Sequence, residues 1–94
     1  MQVKVSHEAA EFIRARGGKL FVWAGGACCG GTRFIESSTR EPADPERFTP
    51  VRESGVTVFV RGTHRELPRE IEVTLRGLIR PHVRAYWNGC AFVV

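Results

Sequence analysis

Apolar residues recur along this chain in short runs, often at alternate positions, broken by glycine, proline or charge. Val3-Lys4-Val5 reads as a short strand. Ser6 is placed to cap a helix predicted over residues 7–16, with Ala9, Phe12, Ile13 and Arg16 on one face and Phe12 and Ile13 as its buried anchors. Glu8 and Glu11 lie near the positive end of that helix, Arg14 and Arg16 near its negative end, and Gly17-Gly18 supplies the stop. Residues 19–24 are apolar at both alternating sets, Leu20 and Val22 on one face and Phe21 and Trp23 on the other. Such a strand is covered on both sides.

Residues 32–36 read as a returning strand, after which 37–50 is polar, carries Pro42, Pro45 and Pro50, and has no periodicity. A stretch of that kind is expected to be a mobile or functional loop. Further strands are predicted over 56–60, 71–75 and 83–87, with Ile71, Val73 and Leu75 facing inward. Asn88-Gly89 between two apolar runs is a strong signal for a type I′ hairpin. That hairpin would pair Trp87 with Cys90 and place Val83, Ala85, Trp87, Cys90, Phe92 and Val94 on one apolar face, which puts Cys90 in the core. The pattern predicts a single α+β domain over residues 1–94, a mostly β sandwich or pseudo-barrel with one N-terminal helix.

Composition narrows the setting. The chain has 94 residues, 43% of them hydrophobic, enough for one core without cross-links. Three cysteines are too few for a disulfide scaffold, and an odd number leaves a thiol unpaired. Residues 1–5 lack the charged start and apolar middle of a signal peptide, and no apolar run reaches a membrane span. These features point to a reducing cytoplasm, where cysteines serve catalysis, redox chemistry or metals. The formal charge is +4, almost all of the basic side being arginine. There is neither a nucleic-acid recognition motif nor a basic helix, which argues against nucleic acid as a partner.

The chemistry concentrates at Gly25-Gly26-Ala27-Cys28-Cys29-Gly30-Gly31, directly after the apolar strand. Glycine lets backbone N–H groups approach and stabilise an anion such as a thiolate, which makes Gly26 and Gly30 candidate binding positions beside Cys28 and Cys29. The plain alternative is a small apolar turn whose thiols are packing groups. Adjacent α-carbons are about 3.8 Å apart, below the usual disulfide range that starts near 4.4 Å, so a Cys28–Cys29 bridge is a labile redox state rather than a cross-link. Alternatively the two thiolates hold a soft metal or an iron–sulfur cluster. A cluster generally takes four ligands, so with two accessible thiols per chain it would be shared in a homodimer or completed by another group. His7, His64 and His82 stand at no spacing that marks a metal site with these cysteines.

The order of elements resembles the HesB-like, A-type iron–sulfur carriers. The similar stretches are Val5-Ser6-His7-Glu8-Ala9-Ala10, the strand that runs into the glycine–cysteine loop, and Gly55-Val56-Thr57-Val58-Phe59-Val60. The carriers end in Cys-Gly-Cys, where this chain has only Gly89-Cys90-Ala91-Phe92. A nearer resemblance is to a group of bacterial HesB-like proteins defined by the Cys-Cys loop, in which selenocysteine sometimes replaces one cysteine. That resemblance implies a redox-active pair at Cys28 and Cys29. Two functions follow as expectations. One is binding or handling of iron, another soft metal or an iron–sulfur species, with iron–sulfur proteins as partners. The other is thiol–disulfide or peroxide-reactive redox chemistry by the same pair, with thiol-redox partners. An interaction module with incidental cysteines is the third class.

Overall fold

A computed structural model describes residues 1–25, 33–62, 67–77 and 79–93. The elements are β1 (Gln2–Val5), α1 (His7–Arg14), β2 (Lys19–Ala24), β3 (Arg33–Ser38), β4 (Thr49–Glu53), β5 (Val56–Val60), β6 (Glu70–Arg76), β7 (His82–Trp87) and β8 (Phe92–Val93). They form two open sheets among the described residues, β1-β6-β7 and β4-β5-β2-β3-β8. The mostly β, one-helix class expected from the sequence is the one observed.

Helix α1 begins as its sequence dictates. Ser6 is extended, and its Oγ accepts a hydrogen bond from Ala9 N–H at 3.2 Å. Gly17 and Gly18, at φ 110° and 80°, take the chain out of the helix, and Gly18 N–H donates to the Ile13 carbonyl at 2.9 Å. Ala9, Ala10 and Ile13 are the buried residues. Phe12 is only half-buried, with the Arg16 guanidinium lying over its ring at 3.6 Å, so Ala10 takes the core position expected of Phe12.

The core lies between the inner faces of the sheets and α1. Leu20, Val22, Val56, Val58 and Val60 come from the larger sheet, and Val3, Ile71, Val73, Ala85 and Trp87 from the smaller. Phe21 and Trp23 occupy the outer face of β2, as its two-sided apolar pattern requires. What covers them is the segment expected to be a free loop. Its Pro45–Arg47 turn, a short 3₁₀ helix, delivers Phe48 edge-on to Phe21 (5.4 Å between ring centroids) and Trp23 (6.3 Å). Phe59 stacks on Phe21 at 4.6 Å. The segment then enters β4, where Pro50 is tolerated because the strand is at the sheet edge.

The Asn88-Gly89 turn forms as read. Both residues have positive φ (50° and 85°), and Trp87 and Cys90 exchange two backbone hydrogen bonds. Asn88 Oδ1 also accepts from Arg69 N–H at 2.8 Å and Glu70 N–H at 3.0 Å, tying the turn to the start of β6. Asn88→Ala removes the one oxygen that accepts both bonds and places alanine in the left-handed region, and should cost about 1–3 kcal/mol in urea unfolding. Asn88→Gly, which keeps the backbone conformation, should cost less.

Beyond that turn the expected hairpin does not continue. After Cys90 the chain leaves β7 and pairs as β8 with β3, Arg33 opposite Val93 and Phe34 opposite Phe92. The turn sets the partner of Trp87 and no more. The open edge of β3 takes the following residues, beginning where Ile35 N–H donates to the Ala91 carbonyl at 2.9 Å. Trp87 is buried and Cys90 is exposed, so Cys90 is not a core residue.

Candidate functional site

Two strands of the larger sheet frame the cysteine segment. β2 and β3 run antiparallel, Trp23 opposite Glu36 and Ala24 opposite Ile35. The final rung is Gly25 N–H to the Phe34 carbonyl at 2.8 Å. Cys28 and Cys29, with Gly26 and Gly30, lie outside the described residues, in the 26–32 connection carried on that rung.

Around the rung stand groups that the sequence pattern alone did not single out. The Glu36 carboxylate lies directly against Gly25, so a Cβ there would meet it and the glutamate would have to swing aside. Trp23 is half-buried beside Glu36, and Phe34 is 57% exposed although it is a large aromatic. Alternation along β3 places Phe34, Glu36 and Ser38 on the same face as Phe21 and Trp23. The base of the connection therefore carries one carboxylate and one exposed ring. The signal was present in the alternation of residues 34–38, but it means nothing until the β2–β3 register is known.

Cys90 lies on the same side of the sheet system, joined to β3 through Ala91 and β8. Ala91 accepts from Ile35 N–H, so Cys90 stands one residue beyond that bond, level with Glu36 in the register. Its exposure has a direct consequence. Cys90→Ser should change stability by less than about 0.5 kcal/mol, as for other surface substitutions. Cys90 should also alkylate in the folded protein at close to its rate in the unfolded chain, which mass spectrometry of trapped thiols would read.

Two of the histidines have local partners. His7 Nε2 is 3.2 Å from Glu11 on the exposed side of α1, and His82 Nδ1 is 3.2 Å from the Arg80 carbonyl. His64 lies outside the described residues. Among the described residues, no three His, Cys, Asp or Glu side chains converge as metal ligands, and no helix is long and apolar enough to cross a membrane.

Comparison with known proteins agrees with this frame. A crystal structure of IscA with the [2Fe-2S] cluster is 17% identical, with a TM-score of 0.62 over 92% of this chain and 82% of that one. A crystal structure of Escherichia coli SufA, involved in biosynthesis of iron–sulfur clusters, is 15% identical, with a TM-score of 0.63 over 99% of this chain and 93% of that one. These likenesses establish a shared fold, the one expected from the HesB-like resemblance. No curated protein matches the sequence. Residues 1–82, which contain the vicinal cysteines, match the family described as CC/Se motif containing. The chain belongs to the CC/Se motif containing family.

Proposed function

We propose that this protein binds or handles iron, another soft metal or an iron–sulfur species through the thiolates of Cys28 and Cys29, with the backbone at Gly26 and Gly30 supporting them. The observation that carries the reading is the vicinal pair between β2 and β3 in a fold shared with IscA, which has been crystallised with a [2Fe-2S] cluster. Thiolates are the protein ligands that such clusters and soft metals favour.

Ligand counting sets the assembly. The exposed Cys90 brings the thiols of one chain to three, still one short of the usual four for a cluster. A homodimer that faces two Cys28-Cys29 segments across a cluster supplies four. Cys90 then stays free to pass cargo to an iron–sulfur protein partner in a reducing cytoplasm. Anaerobic reconstitution with iron and sulfide should give a coloured species that elutes at twice the 10.5 kDa monomer mass. A coloured monomer that needs Cys90 would contradict the dimer. A colourless protein whose cysteine pair closes and reopens with a thiol-redox partner would favour the redox function instead.

A further inference from the structure

The end of α1 and the end of β3 meet around a recess of about 260 Å³, whose walls carry Phe12, Arg16, Ser38, Thr39, Arg40 and His82. No carboxylate lines it among the described residues, and within those residues neither arginine is in an ion pair. Two guanidiniums thus share one small space without an anion to balance them.

Most of the surrounding donors are set by the protein's own contacts. Arg16 lies over the Phe12 ring at 3.6 Å, with Nη1 3.5 Å from the Phe12 carbonyl, so one edge of its fork is anchored and the rest is open. Ser38 Oγ accepts from Arg40 N–H at 3.0 Å, which leaves the Ser38 hydroxyl proton free to donate. His82 Nδ1 is 3.2 Å from the Arg80 carbonyl. A carbonyl only accepts, so Nδ1 carries the proton and the ring is held as a wall of the recess. The C-terminal, negative end of α1 lies on this side and opposes an anion by itself. It is blunted here, because the N–H groups of Ala15, Arg16, Gly17 and Gly18 take up the carbonyls of Glu11, Ile13 and Arg14.

We infer that this recess binds a phosphate dianion, as inorganic phosphate or as the phosphate of a small monoester. Charge selects the dianion: two guanidiniums balance it, whereas a single carboxylate leaves one of them uncovered. The three strong acceptor oxygens of a phosphomonoester match the arginine forks and the hydroxyls of Ser38 and Thr39. Size sets the other limit. Sites for drug-sized ligands begin at about 300 Å³, so the recess takes a small charged group and does not enclose a nucleotide. It stands at the Ser38 end of β3, roughly 13 Å along the strand from Phe34 and the base of the Cys28-Cys29 connection. It shares no residue with the proposed cargo site, so the two readings fail independently.

NMR of the metal-free protein at constant ionic strength and about pH 7.5, where a phosphomonoester is mostly a dianion, tests the inference. The ligands are inorganic phosphate, phenyl phosphate, dimethyl phosphate and succinate. Inorganic phosphate or phenyl phosphate should shift the amides of Ser38, Thr39 and Arg40 and the Arg16 Nε–H saturably, and the tighter of the two identifies the source. Arg16→Gln with Arg40→Gln should weaken that binding by about tenfold or more, and Thr39→Val to a lesser degree. Arg52→Gln on β4 should leave it unchanged. All three arginines are exposed, so these variants retain the fold, which unchanged resonances elsewhere in the spectrum would verify. Dimethyl phosphate is tetrahedral with one charge, and succinate is a dianion of another shape. Binding of either as tight as that of the better phosphate, or an equal loss from Arg52→Gln, would overturn the inference. Shifts that do not saturate would overturn it as well.

Discussion

Phe21→Ala should lower the unfolding free energy by about 3–5 kcal/mol, the range for removing a buried phenylalanine ring. Phe21 is 1% exposed, stacked on Phe59 and met edge-on by Phe48, so no neighbour can close the space without moving the 39–48 segment. Among the described residues, Phe48 also meets Trp23, and Arg61 reaches the segment from β5's end. Arg61 lies 5.6 Å from the Phe48 ring and 3.5 Å from Asp44, both partly exposed contacts of small individual worth. A domain of this size has about 5–15 kcal/mol in total, so the variant should melt at least about 12 °C lower. Phe34→Ala is the control. Phe34 is more than half exposed and should move stability by no more than about 0.5 kcal/mol. Urea unfolding of the two variants decides the matter, and a Phe21→Ala cost below about 1 kcal/mol would mean that the segment does not pack on β2.

The second large effect concerns cargo. Cys28→Ser and Cys29→Ser should each reduce iron and sulfide bound after anaerobic reconstitution to the level of the double variant, a loss of at least about tenfold, because a hydroxyl is not a thiolate donor. Cys90→Ser should retain the colour of the wild type. The same three variants, checked for unchanged thermal unfolding, separate ligation from folding. Full retention of iron by both single variants at 28 and 29 would remove the pair from the site.

Much of the architecture was legible because local rules acted unopposed. Ser6 and Gly17-Gly18 bound the helix, and the alternation of Ile71, Val73 and Leu75 set the inward face of β6. Two-sided apolarity of β2 correctly required a cover, but nothing local showed that the proline-rich stretch supplies it. Phe48 is a lone aromatic in a polar run, and its role depends on a long-range contact with Phe21. Cys90 failed for the same reason. A two-residue turn specifies one cross-strand pair, while the path beyond depended on the unpaired edge of β3, which no residue near Cys90 encodes. The cysteine pair needed no structure to be noticed. Glu36, Phe34, Arg16 and Arg40 did, since their proximity to the site or to one another comes from strand register and helix placement.

Direct analysis of iron, other metals and acid-labile sulfide in the wild-type protein, purified anaerobically, tests the central claim. The account predicts bound metal or cluster that is lost when Cys28 and Cys29 are both replaced by serine. Metal-free protein that takes up no iron on reconstitution, yet cycles reversibly between two thiols and a Cys28–Cys29 disulfide, would contradict it.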